Sequence, residues 1–339
     1  MKKILRLTVL VIFFCKMGIA QQKPQYTQYV FNNILLNPAV TGIENYTDVK
    51  AGYRSQWTGL DGAPVTSYIT LSAPLGADFL QGDATAMPAY GGENPMSRLY
   101  TQNYQAAEPH HGIGFTIVSD VAGPINTTNI DANYAYHLGL SPTLNLAVGF
   151  AAGFTHTSLN TSLITLENPL DPAIADGNNS QWKPDLNVGL WLYSSNYYIG
   201  ASSQQILTQN LYFSTAKSSA YQSKTVPHYF FTGGIKLFLS DDLTLLPSVL
   251  VKLIQPVPTT FDANLKLAFK DKFWIGGSYR KDDSVAGLVG FNISSLINIG
   301  YSYDYTTSAL RTVSNGTHEI VIGIMLNNRY NVTCPQHSF

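Results

Sequence analysis

The side chains with most chemistry to offer are the histidines, and their spacing argues against using it. His110 and His111 are adjacent, so on a strand they point to opposite faces, and no cysteine or carboxylate flanks them at metal-ligand spacing. His137 shares a strand face with Asp131 and Asn133, where a hydrogen-bond network is the simpler reading. His228 follows Pro227 at a strand start, and His318 precedes Glu319. Serines are plentiful, yet no nucleophile elbow accompanies them, so a lipid hydrolase built on His137 and His318 is the weakest reading. Asp171, Asp176, Gly177, Asn178 and Asn179 imitate part of a calcium loop but miss its alternate spacing and closing Glu. Gly112-Ile113-Gly114 and Gly276-Gly277 fall inside alternating segments, where glycine relieves crowding or marks a bulge. No catalytic residue, metal or cofactor is expected.

A second group of charges sits on one face of alternating segments. Asp262, Asn264, Lys266, Ala268 and Lys270 alternate with Phe261, Ala263, Leu265, Leu267 and Phe269. Asn298, Gly300, Ser302 and Asp304 alternate with Ile297, Ile299, Tyr301 and Tyr303, and Asp131, Asn133, Ala135 and His137 with Ile130, Ala132, Tyr134, Tyr136 and Leu138. Period-two alternation is the signature of strands with two unlike faces. Asp131, His137, Asp262, Lys266 and Asp304 would then face a common polar interior. They either line a pore or pair and fill it, and with no excess of one sign pairing is favoured.

The elements that must position them follow from composition. Charged residues make up 12% of the chain, against about 25% in soluble domains. A β-sandwich shares the alternation, but its outer faces normally carry many Lys and Glu, whereas the polar faces here carry Asn, Gly and Ser. Tyr 21 and Phe 16 suit strands in contact with lipid. After the first twenty residues no run of 18 apolar residues occurs, so a membrane could be crossed only by a closed barrel. A formal net charge of −1 opposes nucleic-acid binding, which needs a cationic surface.

Turn residues divide the chain into candidate strands at 47–57, 64–73, 111–120, 125–139, 143–157, 184–195, 196–205, 226–239, 243–255, 258–270, 272–281, 284–292, 295–305 and 316–327. The expected fold is all-β: a transmembrane antiparallel β-barrel of about 14 strands, an even number placing both ends on one side. Turns at Ser141-Pro142, Ser194-Ser195, Asp241-Asp242, Asp271 and Ser294 fall on the periplasmic side, and loops 158–183, 206–225 and 306–315 outside. Residues 74–110 break the pattern as a long periplasmic insertion, and 328–339, with Cys334, form a tail.

Lys2, Lys3 and Arg6, an apolar run from Leu7 to Cys15 and the small residues of Gly18-Ile19-Ala20 have the layout of a cleaved secretory signal over 1–20. A lipoprotein signal using Cys15 is disfavoured by the bulky Phe13 and Phe14 before it. The segment 21–46 contains QYTQYVFNNILLNPAVTG, Gln25 to Gly42. It is expected either to plug the lumen, with Tyr26, Tyr29 and Phe31 against Gly149, Ala151 and Gly153, or to present those aromatics to a periplasmic partner. The plug is favoured because an exposed apolar patch needs a partner to be tolerated. Asn37-Pro38 should end any short helix there.

That opening stretch, followed by YRSQWTGLDGAPVT at Tyr53 to Thr66, VPHYFFTGG at Val226 to Gly234, LLPSVLVK at Leu245 to Lys252, KFWIGGSYR at Lys272 to Arg280, GYSYDYT at Gly300 to Thr306 and THEI at Thr317 to Ile320, resembles the PorP/SprF family of type IX secretion system outer-membrane proteins. The blocks occur in family order over nearly all of the mature chain; the long 74–110 insertion and the tail after Leu326 depart from it. The resemblance implies a FadL-like barrel in the bacterial outer membrane. It also implies roles in protein secretion, surface attachment of adhesins and gliding where the organism glides. The implied partners are the periplasmic ring lipoprotein complex, a peptidoglycan-binding lipoprotein with an OmpA-like domain, the carboxyl-terminal domain of a secreted adhesin, and outer-membrane lipid. A passive transporter of hydrophobic small molecules is the alternative.

Overall fold

A computed structural model describes residues 23–76, 104–164, 179–210, 224–270 and 272–328. The expected signal at 1–20, the centre of the insertion, Asp171 to Asn178, Asp271 and the tail with Cys334 lie outside them. Fourteen antiparallel strands close into one barrel: β1 (Thr47–Ser55), β2 (Val65–Leu75), β3 (His110–Ala122), β4 (Ile125–Ser141), β5 (Leu144–Leu159), β6 (Ser180–Tyr193), β7 (Tyr197–Gln204), β8 (His228–Ile235, resuming as Leu237–Phe238), β9 (Leu243–Ile254), β10 (Thr260–Phe269), β11 (Phe273–Arg280), β12 (Ser284–Asn292), β13 (Ile297–Thr306) and β14 (Thr317–Leu326). Closure is made by β14 returning to β1, with Thr47 opposite Leu326 and Ser55 opposite His318. Full closure leaves no unpaired edge, the condition for crossing a bilayer with strands.

Each candidate strand is present. The largest shift is at β6, which starts at Ser180 rather than 184 because Pro184 does not break the ladder but sits within it, opposite Phe154. A proline there forfeits one donor near the strand's end, a cost the long β5–β6 pairing absorbs. At Lys236 the chain bulges between the two pieces of β8, both of which pair with β9.

The alternation puts apolar side chains outward. Large exposed hydrophobics such as Ile69, Phe150, Ile199, Val249, Leu265, Ile275 and Ile322 belong to strand positions facing away from the lumen. Aromatics gather toward both rims: Phe269, Phe273 and Phe291 step along one end with centroids 5.5 and 6.3 Å apart, and Phe261 meets Tyr279 at 6.1 Å near the other. An apolar band between two aromatic girdles is how an outer-membrane barrel meets lipid. Both ends of the barrel, the short turns after β4, β6, β8, β10 and β12, and the insertion after β2 share one rim, which short turns mark as periplasmic. The returning arm of the insertion lies across that rim: Ala106 N–H donates to Pro142 O (2.7 Å), and Asn145 Nδ2 to the Tyr104 hydroxyl (2.8 Å).

Candidate functional site

The interior is occupied by the chain itself. Residues 23–46 run down the lumen from the loop end to the periplasmic rim in three 3-10 turns, Gln28–Val30, Asn33–Leu35 and Pro38–Val40. No turn is long enough to hold itself together, so the walls hold the segment. Tyr26, Tyr29, Val30, Phe31, Leu35, Leu36, Ala39, Val40 and Ile43 join Tyr68, Trp191, Tyr198, Leu250 and Trp274 of the wall in one buried apolar cluster.

Near the loop end the plug is bound by a charge network. Arg54 of β1 donates from Nη1 to Glu319 Oε2 of β14 (3.0 Å) and from Nη2 to Asp304 Oδ2 of β13 (2.8 Å). Thr27 sits in the same cluster: its backbone N–H donates to Glu319 (2.8 Å) and its hydroxyl to Asp304 (2.6 Å). Tyr68 O–H donates to the other Glu319 oxygen (2.9 Å). Arg280 of β11 donates from Nε to both Asp262 oxygens (3.2 Å each) and from Nη2 to the Tyr26 carbonyl (3.0 Å), while Lys252 of β9 lies 3.2 Å from Asp262. Three buried cations thus face three buried carboxylates, with the half-buried Asp283 3.4 Å from Arg280 Nη1, and hydrogen bonds to the plug satisfy several of the sites the ions leave over, Arg54 Nε and Asp304 Oδ1 excepted. That satisfaction is what makes buried charge tolerable.

Lower down, Asn264 Nδ2 donates to the Tyr29 hydroxyl (2.6 Å), Asn32 Nδ2 to Thr70 Oγ1 (3.0 Å), and Ser202 and Gln204 to the Leu36 and Leu35 carbonyls (2.6 and 2.9 Å). Phe31 lies 6.0 Å from the Trp274 ring, with Lys50 Nζ 5.3 Å from its own centroid. Asn37 ends one 3-10 turn and caps the next, its Oδ1 accepting from Ala39 N–H (3.0 Å) and its Nδ2 donating to Leu190 O (2.9 Å). Pro38 occupies the first position of that turn, where its missing N–H costs nothing. At the floor, His137 Nε2 is 2.8 Å from the Thr41 carbonyl and Nδ1 is 3.0 Å from the Tyr193 hydroxyl. His110 stacks on His137 at 4.5 Å with its Nε2 3.2 Å from the Gly42 carbonyl. Ser72 Oγ accepts from Gly42 N–H (2.8 Å) and lies near Glu44, whose carboxyl burial pushes up against the opposing pull of Lys50.

Several expectations are corrected. Tyr29 and Phe31 do not pack on Gly149, Ala151 and Gly153 but face the wall of Asn264 and Trp274, whereas Tyr26 meets Tyr68 edge-on at 5.4 Å and lines one cavity with Ala151. Gly149 instead receives the backbone of Pro38 and Ala39, which a Cβ there would strike. His137 belongs to the floor rather than to a network with Asp131 and Asn133. His110 is no mere strand-entry residue but a buried contact of the plug. Asp262 and Asp304 are ion-paired, yet with Arg280, Lys252 and Arg54; Lys266 forms no ion pair among the described residues and lies 5.2 Å from the Trp274 centroid. Asp131 is likewise unpaired. His318 faces outward, bonded to the Tyr301 hydroxyl (2.7 Å), across the wall from His137, so the two cannot share a reaction centre. Arg54, Arg280, Lys252 and Glu319 were missed, although Arg54 shares strand parity with Asp48 and Lys50, and that parity marks it as inward.

Around this packing the lumen keeps cavities of about 50 and 60 Å³ flanking Lys23, less than the roughly 150 Å³ that admits benzene. A family model described as type IX secretion system membrane protein PorP/SprF matches residues 18–324. No curated protein sequence matches the chain. Among solved structures, the CymD monoaromatic hydrocarbon channel is 12% identical over 91% of this chain and 94% of its own, TM-score 0.46. The Ralstonia pickettii toluene transporter TbuX is 12% identical over 86% and 92%, TM-score 0.45. The Pseudomonas putida toluene transporter TodX is 8% identical over 91% and 96%, TM-score 0.46.

Proposed function

On the premise that this chain belongs to the PorP/SprF family of type IX secretion system membrane proteins, we propose that it supports secretion and surface attachment of adhesins, and gliding where the organism glides, without catalysis. It is an outer-membrane β-barrel component of that system, and in this reading it acts by binding other envelope proteins. The observation that carries the reading is the sealed lumen: a barrel stoppered from within by Tyr26 to Thr41, with hydrogen bonds from strands on every side, works through its rims. The periplasmic rim, with the short turns and the insertion arm from Tyr104, would meet the ring lipoprotein complex and the OmpA-like lipoprotein. The loop rim would hold the carboxyl-terminal domain of the adhesin. Residues 1–20 act as the export signal, 21–46 as the plug, 47–327 as the barrel and 328–339 as a tail.

The transporter reading needs a ligand-sized apolar space behind the plug, and the small cavities around Lys23 speak against it while the plug is seated. Deleting the gene is expected to strip the adhesin from the cell surface, read by surface immunolabelling and by adhesin in the culture medium. Unchanged secretion and unchanged retention would remove the proposal.

A further inference from the structure

On the wall opposite the charge network, Asp131 of β4, Gly153 of β5 and Asp185 of β6 stand at one level, Asp131 opposite Gly153 and Gly153 opposite Asp185. Neighbouring strands are about 4.8 Å apart, so two inward carboxylates flank a position without a side chain. A Cβ on Gly153 would strike Asp131 Oδ1 and the Ile130 carbonyl. The gap lets the carboxylates lean over the bare strand between them.

Their partners are few. Asp131 is 6% exposed and its Oδ1 is buried with no hydrogen-bond partner. Asp185 Oδ1 accepts from Leu186 N–H (3.0 Å), but Oδ2 has only long contacts: Asn187 Nδ2 at 3.4 Å, Asn129 Nδ2 at 3.5 Å and Lys23 Nζ at 3.7 Å. Asp131, Asn129 and Asn133 line the cavity of about 50 Å³ beside Lys23, room for about four waters at some 10–15 Å³ each. Lys23 belongs to the plug, is 19% exposed and donates from Nζ to Gln204 Oε1 (3.2 Å), so the cation nearest to Asp185 is shared with a neutral acceptor and makes only a long contact with the carboxylate. Two buried carboxylates with one shared cation are undercompensated, and burying charge without full pairing is costly.

We propose that Asp131 and Asp185 form a calcium-type divalent-cation site, the ion bridging their carboxylates across Gly153 in place of Lys23. A hard cation takes six to eight oxygen ligands in flexible geometry; the carboxylates, the amide oxygens of Asn129 and Asn133 and cavity waters supply that chemistry. The site is buried in the loop half of the lumen, the end nearer the external medium, where sites of this kind bind at about 0.1–1 mM. Because the ion replaces Lys23, its occupancy releases the first residues of the plug from the β6 wall.

The test is terbium luminescence on the full chain in detergent, sensitised by Tyr26, which lines the same cavity. Saturable emission competed by calcium or magnesium is expected. Asp131→Asn, with its fold checked by heat-modifiable gel mobility, should weaken binding about tenfold or more, equivalent to at least about 1.4 kcal/mol. Lys23→Gln, at a partly exposed residue, should tighten it severalfold by removing the competitor. Absence of saturable emission, equal binding by Asp131→Asn, or no gain in Lys23→Gln each overturns the site.

Discussion

Deleting residues 23–46 is expected to convert a sealed barrel into a conducting one. The wall does not depend on the plug for its hydrogen bonds, since β1 to β14 form an unbroken ladder, and the outward apolar band is untouched by the deletion. What the deletion exposes is polar. The buried wall charges comprise Lys50, Arg54, Lys236, Lys252, Lys266 and Arg280 against Asp48, Asp131, Asp185, Asp262, Asp304 and Glu319, with Asn133, Asn187, Thr70 and Ser202 among them. Six of each sign, once hydrated, line a wet channel with weak ion preference. In planar bilayers the full chain should give no discrete current steps and the deletion should give clear ones. A deletion that keeps its heat-modifiable fold yet conducts no current would mean the lumen is narrowed by something other than the plug.

Arg54→Ala is expected to be the most damaging single substitution in the lumen. Arg54 is 1% exposed and is the bonded cation shared by Asp304 and Glu319; without it Glu319 loses its ion pair and Asp304 keeps only Arg280 at 3.9 Å, the two carboxylates facing each other across Thr27. Breaking a buried ion pair by removing one partner costs about 3–5 kcal/mol. The loss should appear as a lowered urea midpoint for the folded gel band and as new protease cleavage within residues 23–46. A neutral replacement of all three, Arg54→Met with Asp304→Asn and Glu319→Gln, should recover much of that loss, because no charge is then left unpaired. An Arg54→Ala protein as stable and as protease-resistant as the parent would remove the network from its place in seating the plug.

The barrel was legible because alternation is local: each of β10 and β13 carries its own inside and outside in ten residues, and turn residues marked the ends. Pro184 misleads because proline ordinarily marks a strand end, whereas here it is a tolerated gap in a long ladder. The lumen was legible only face by face. Parity put Asp131, His137, Asp262, Lys266 and Asp304 inward, but which of them meet depends on closure of the barrel and on where the plug lies around its axis. Neither is written in a local pattern. Arg54 meets Glu319 across 265 positions of sequence, and His110 meets His137 because β3 and β4 pair in one particular register. For the same reason parity does not say which wall Tyr29 and Phe31 meet: the space at Gly149 takes the Pro38-Ala39 backbone instead.

The central claim is that this barrel serves the type IX system with its lumen shut. It is tested most directly by locking the plug in cells: Asn32→Cys and Thr70→Cys, whose parent side chains bond at 3.0 Å, joined by oxidation or dibromobimane in a Cys334→Ser background. Surface retention of the adhesin is then measured for the locked and the reduced protein. Equal retention in both states is the expected result. Loss of retention on locking, restored by reduction of the disulfide form, would show that the lumen must open and would contradict the claim.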